Sequence, residues 1–460
     1  MLLGTTVTVF QELRRRAILG SPLSRLSKNI SLKMHSGKAA ARLNLLVPSL
    51  DSTRTMNTQS QTTGFQQLPH KLLLIPGPIE VSDEVLFANA HPSMSHIAPE
   101  FIPVFGDCIR MTRKALLTAE GQPFLIAGSG TLGWDQVASN LVEAGENALV
   151  LHSGYFGDSF ADCLGTYGAN VDQIKAQIGG AVPLPDIEKA LKSKKYKVLT
   201  VTHVDTSTGV VSDIKAVTAL VRKVSPETLV IVDAVCSVAS EEIRMDEWDL
   251  DVVLSASQKG LGVPPGLSVL VASTRAMKAR NIFTLETRKS PVSSYYASWK
   301  KWLPIMKAYE SGKPAYFATP PVNLVYAYHA SLKAITEASP SLEERFELHR
   351  EASKKFKKAA ADLGLKQVPL GSDIAANGMT ALYYPDGLGA PDLLPRLVKR
   401  GIVVAGGLHA NIKDKYFRVG HMGLSAVDTS KGHVDTVIKA LKESLEEARA
   451  ERSAQANLQQ

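Results

Sequence analysis

Cysteine is scarce in this chain: Cys108, Cys163 and Cys236 are the only three in 460 residues. The count is odd, the spacing is wide, and none lies near a histidine or another cysteine. That excludes a disulfide framework and a structural zinc site, and no metal ligand set is expected. A reducing interior fits. Long apolar runs are missing too; none approaches the ~20 residues that a membrane helix needs, so no membrane association is expected. Acidic residues are nearly absent from residues 1–55. Nine lysines and arginines there face only Glu12 and Asp51, so this stretch carries +7 of the net +8. The remaining chain is close to neutral, which excludes a nucleic-acid backbone binder. The first 55 residues are also rich in Ser, Thr and Leu, and Leu13, Ile18 and Leu19 share one side of a short helix among arginines. This is the composition of a mitochondrial presequence and implies a matrix location; the plainer alternative is a disordered basic tail. Initiation at Met56 would give a cytosolic or peroxisomal form without that segment. The terminal Asn457 to Gln460 is not of the Ser-Lys-Leu import type. There is no internal repeat.

What is present is a chain of 45% hydrophobic and 21% charged residues, long enough for two domains. Short β-branched runs at 123–127, 147–151, 198–202, 228–232, 252–255 and 267–271 alternate with helical patterns at 132–143, 184–191 and 214–224. Strands apolar throughout and separated by helices predict a parallel sheet covered on both faces. The expected organisation is α/β: an N-terminal segment 56–89, a large α/β domain over 90–318, a smaller α+β domain over 319–448 and a frayed polar tail over 449–460. In the smaller unit, helices are expected near 324–337, 342–363 and 392–400, with strands at 380–384, 403–405 and 416–419.

Several motifs fall at successive strand ends. Gly128-Ser129-Gly130-Thr131 runs from a strand into a helix and matches G-x-G-x-x-G with Gly133. Small residues at a helix N-terminus suit an anion. A dinucleotide site also wants an acid after the next strand, and the stretch from Leu151 to Gly157 has none. One phosphate held with the hydroxyls of Ser129 and Thr131 fits better; a tight turn with no ligand is the bland alternative. Phe156 sits in the next strand–helix loop, where it either stacks on a ring or packs into the core. The stretch from His203 to Gly209 offers hydroxyls where α/β proteins bind ligands, or forms an ordinary cap. Asp233 ends the most apolar strand in the chain, where an unpaired carboxylate is costly. Lys259 follows another strand, between Gln258 and Gly260. An acid and a lysine so placed are what pyridoxal phosphate needs: an amine for its aldehyde and a carboxylate for its ring nitrogen.

With these motifs in that order, the chain resembles the class V, fold-type I pyridoxal phosphate enzymes. Within them it is most similar to the alanine–glyoxylate aminotransferases of the fungal type. Matching segments recur from about residue 70 to 425: 74–78, 128–135, 202–208, 232–237, 256–259, 315–321, 402–407 and 418–423. The resemblance implies a large, mostly parallel-sheet domain and a smaller C-terminal one. It implies that Lys259 forms the Schiff base with pyridoxal 5'-phosphate, that Asp233 pairs with the pyridine nitrogen and that Thr206 lies by the ring hydroxyl. Val235 and Phe156 would cover the two ring faces. Ser129, Gly130, Thr131 and Gln258 would hold the phosphate, completed by Tyr316 and Thr319 from a second subunit, so a homodimer is implied. Gly77 would line the side-chain pocket and Arg418 would grip the carboxylate of a small amino acid or 2-oxo acid. Many relatives carry Trp or His where this chain has Phe156.

The implied reaction is ping-pong transfer of the amino group of alanine to glyoxylate. Serine–pyruvate or serine–glyoxylate transamination is the near alternative. A cysteine desulfurase would need a mobile reactive cysteine in the C-terminal half and a histidine over the ring; this chain has no cysteine beyond Cys236 and has Phe156 in place of the histidine. A nucleotide-dependent dehydrogenase rests on the glycine motif alone.

Overall fold

The structure is a computed structural model and describes residues 65–279 and 290–459. The presequence-like stretch and Met56 lie outside the described residues. Seven strands build the main sheet: β1 (Gln122–Ala127), β2 (Asn147–His152), β3 (Asn170–Lys175), β4 (Val198–Thr202), β5 (Leu229–Asp233), β6 (Val252–Ala256) and β7 (Leu267–Ala272). Their spatial order is β1-β7-β6-β5-β4-β2-β3. The pairs β6–β5, β5–β4, β4–β2 and β2–β3 are parallel. Only β7 runs against its neighbours β6 and β1. The expected strands are all there, each within a residue or two of its expected ends.

The sequence pattern explains the sheet's place. Strands β4, β5, β6 and β7 are buried along their whole length, as a sheet covered on both faces requires. Helices α1 (Thr131–Leu141) and α2 (Tyr155–Thr166) supply part of that cover. Strand β3 was not expected, because Asn170, Asp172, Gln173 and Lys175 break the apolar run. It is the sheet's edge, and charged residues there block further pairing. Because β1, β2, β4, β5 and β6 all point the same way, their carboxyl ends gather residues 128–131, 153–156, 203–207, 233–235 and 257–259 along one rim. This is where open α/β sheets bind ligands.

A second apolar cluster belongs to a three-stranded antiparallel sheet, β8 (Met379–Tyr383), β10 (Tyr416–Gly420) and β9 (Ala405–Gly406), in that spatial order. The helices Leu342–Asp362 and His433–Gln459 pack against it. The single strand expected at 403–405 is instead two short ones. Ile402–Val403 pairs in parallel with Leu72–Leu73, and Ala405–Gly406 pairs with β10. The N-terminal segment is thereby stitched to the C-terminal part. The Gly420 amide donates to Leu74 O (2.7 Å), and the Ile79 amide reaches Gln258 O (3.2 Å). Residues 74–79 therefore cross from one sheet to the rim of the other.

The tail expected to fray is helical to Gln459. The helix Ala390–Lys399 anchors it: Arg452 Nη2 donates to Asp392 Oδ1 (2.8 Å), and Arg396 pairs with Glu451. Polar composition alone did not reveal these cross-helix pairs.

Leu254 lies at the centre of β6 with no exposed surface. Leu254→Ala should lower stability by about 2–5 kcal/mol. In urea unfolding this appears as a lower midpoint at an unchanged slope; an unchanged midpoint would contradict the packing described.

Candidate active site

Asp233 is the last residue of β5 and is 2% exposed. Its Oδ2 accepts from Trp134 Nε1 (2.8 Å) and its Oδ1 from the Val235 amide (3.1 Å). Both donors are neutral, and Asp233 has no ion pair among the described residues. Burial is the main cause that raises its pKa from 3.8 to about 6, and the two donors oppose that rise. The carboxylate borders a cavity of about 250 Å³.

Lys259 borders the same cavity. Its Nζ donates to Pro76 O (2.6 Å). Burial lowers its pKa; Arg418 adds to that effect, while Asp233 counters it. The lysine owes its position to Gly77, whose φ is +130°. A Cβ there would lie 2.3 Å from Lys259 Cδ and 2.7 Å from Nζ. Any side chain at position 77 would therefore drive the amine away, and φ alone already favours glycine.

At another side, Ser129 and Thr131 flank Gly130 at the start of α1, and no side chain caps that helix. Gly130 also allows a close approach, since a Cβ would fall 2.7 Å from Val235 Cγ2. Val235, Phe156, Thr206 and Gln258 line the cavity as well. Phe156 is half-buried and belongs to the first turn of α2 rather than to a loop. Gln258 Oε1 is buried with no hydrogen-bond partner among the described residues.

Three expected residues are not among those that line this cavity. Arg418, on β10, is not among the cavity-lining residues but stands behind Thr206. Its Nη1 donates to Thr206 O (3.0 Å) and its Nε to Gly406 O (2.8 Å). Tyr316 is 63% exposed and Thr319 is exposed. Neither lines the cavity of its own chain.

Three residues here were missed from sequence. Trp134 is the donor that orients Asp233, and it stacks on Phe160 (5.4 Å between ring centres). Its signal was its place one turn into the glycine-led helix. Asp205, fully buried, accepts from the Ser207 amide (2.8 Å), the Ser207 hydroxyl (2.6 Å) and the Phe156 amide (3.3 Å). It fixes the turn that presents Thr206. Cys236 lines the cavity, and burial pushes its thiol up to about 12, so it stays protonated at neutral pH.

This donor set fits pyridoxal phosphate. A buried carboxylate without a cation awaits a protonated ring nitrogen. A poised amine stands ready for an aldehyde, and an uncapped helix start with two hydroxyls suits a phosphate. The unpaired Gln258 Oε1 marks a polar ligand position.

Residues 82–422 match the family described as aminotransferase class-V. The chain is 43% identical to alanine–glyoxylate aminotransferase 1 of Saccharomyces cerevisiae, covering 81% of this chain and 97% of that protein. It is 29% identical to the L-aspartate–glyoxylate aminotransferase of Paracoccus denitrificans, covering 76% and 86%. A crystal structure of an alanine–glyoxylate aminotransferase from Nostoc sp. superposes with a TM-score of 0.75 at 29% identity, covering 85% of this chain and all of that one.

The raised pKa of Asp233 has a stability consequence. A carboxyl titrating near 6 when folded and near 3.8 when unfolded binds its proton more tightly in the native state. Its contribution is present below 3.8 and is lost as pH rises through about 6. An asparagine at 233 would turn its NH2 on one of the two N–H donors that the carboxylate accepts from. In the cofactor-free protein, Asp233→Asn should therefore cost stability near pH 4 and cost less near pH 8, by a difference on the order of 3 kcal/mol. Thermal unfolding of both proteins across that range checks this; a cost that does not fall as pH rises would contradict it.

Proposed function

Given that this chain belongs to the class-V aminotransferases, which use pyridoxal 5'-phosphate, we propose that it transfers the amino group of alanine to glyoxylate. The products are pyruvate and glycine. One observation carries the reading: the buried carboxylate of Asp233 and the lysine amine of Lys259 border a single cavity. The donor assignment leans on the yeast relative, named for alanine and glyoxylate.

When bound, the cofactor supplies an electron sink for the carbanion character that develops at the donor's Cα. The protein's residues do the remainder. Asp233 holds the proton of the ring nitrogen through its cavity-facing oxygen lone pairs. Lys259 Nζ, its pKa lowered by burial, would take the proton from Cα and return it to the carbon on the far side of the nitrogen being transferred. Ser129, Gly130 and Thr131 bind phosphate at the start of α1, with Gln258 beside them. Phe156 and Val235 confine the ring between them, and Thr206 orients its hydroxyl. Gly77 lines the pocket for the donor side chain. Arg418 grips the donor carboxylate with the edge of its guanidinium not bonded to carbonyls.

A homodimer and a matrix location belong to the same proposal. The first is supported by Tyr316 and Thr319, exposed and outside their own chain's cavity, from where they would complete a partner's phosphate site. The second rests on the basic, acid-poor composition of residues 1–55.

Mixing the cofactor-loaded protein with L-alanine should abolish the visible band of the bound cofactor and release one pyruvate per site. Glyoxylate should restore the band. Lys259→Ala should slow this half-reaction at least ~10³-fold. A faster reaction with L-serine would move the assignment to a serine donor; inertness to both amino acids would overturn it.

A further inference from the structure

Tyr416 lies two residues before Arg418 on β10, so both side chains leave the same face of the strand. Both reach the same two chain segments. Arg418 donates to Gly406 O (2.8 Å) and Thr206 O (3.0 Å). The Tyr416 hydroxyl donates to Ser207 O and accepts from the amides of Leu408 (2.8 Å) and His409 (2.9 Å). One donor and two acceptor positions are all a phenol hydroxyl has, and here each is used. The ring is fully buried. Gly407 packs on it so closely that a Cβ would fall 2.5 Å from Tyr416 Cε1 and 2.8 Å from Cδ1. The turn after Gly406 is thus packed against this side chain on one side and against the Lys413 carbonyl on another.

We propose that Tyr416 is a positioning residue for Arg418, setting the distance between the two carbonyls that orient the guanidinium towards the substrate carboxylate. This rests on the transaminase reading above and extends it. Thr206 O and Gly406 O lie on segments about 200 residues apart in sequence. The hydroxyl of Tyr416 joins the residues next to them, Ser207 on one side and Leu408 and His409 on the other. Without it the two carbonyls can drift, and a planar fork tolerates little drift.

Tyr416→Phe keeps the ring against Gly407 and leaves two amides and a carbonyl without their partner. Half-saturation by L-alanine should rise roughly 10-fold, with a much smaller change in the limiting rate of the half-reaction. Calorimetry with propionate, an unreactive carboxylate, should show a comparable loss of affinity. Ethylamine lacks the carboxylate, and its slow reaction should be unchanged. In an Arg418→Ala background the added Tyr416→Phe should have no further effect. An unchanged half-saturation, or an equal slowing of alanine and ethylamine, would overturn the proposal. Wild-type protein inert to alanine would instead sink the functional reading on which it rests.

Discussion

The carboxylate of Asp233 at the end of β5 is the constraint on which the site depends. It is buried, it has only neutral donors, and those donors come from two different elements. Trp134 reaches it from α1 and the Val235 amide from the turn after β5. A charge so placed is costly to the empty fold. That cost is offset when a cation sits opposite, as a protonated pyridine would. The site is thus less stable empty than filled, which is how a binding site differs from a packed core.

The other parts are arranged about that carboxylate by close approach. Gly77 and Gly130 are gaps in the side-chain layer through which Lys259 and Val235 come near the backbone. Residues 74–79 can reach the rim because Leu72–Leu73 pairs with Ile402–Val403 and Gly420 donates to Leu74. The C-terminal part therefore holds the segment that holds the lysine. Arg418 and Tyr416 meet residues 206–207 from that same part. Separation of the two sheets would scatter the cofactor end and the carboxylate end of the site together.

Much of this was legible in the sequence. The buried parallel strands read as β-branched runs because both their faces are covered, and their ends located residues 129–131, 156, 206, 233 and 259. What stayed hidden depends on contacts distant in sequence. The indole nitrogen of Trp134 finds Asp233 across 99 positions, and nothing in either neighbourhood announces the pairing. Asp205 reads as a turn former, and only its burial shows that it organises the loop. The edge strand β3 is polar because it is an edge, so an apolar template passes over it. The C-terminal helix continues because Asp392 and Arg396 hold it, not because its own residues are apolar. Tyr316 and Thr319 gain meaning only through resemblance, since within one chain they are exposed loop residues.

The most direct test of the central claim is chemical. Borohydride reduction of the cofactor-loaded protein, followed by peptide mapping, identifies the amine that holds the aldehyde. The account predicts a phosphopyridoxyl group on Lys259 at one per chain. It also predicts that Asp233→Asn weakens cofactor retention while leaving that attachment point unchanged. Modification of any other lysine in its place, or none at 259, would contradict it.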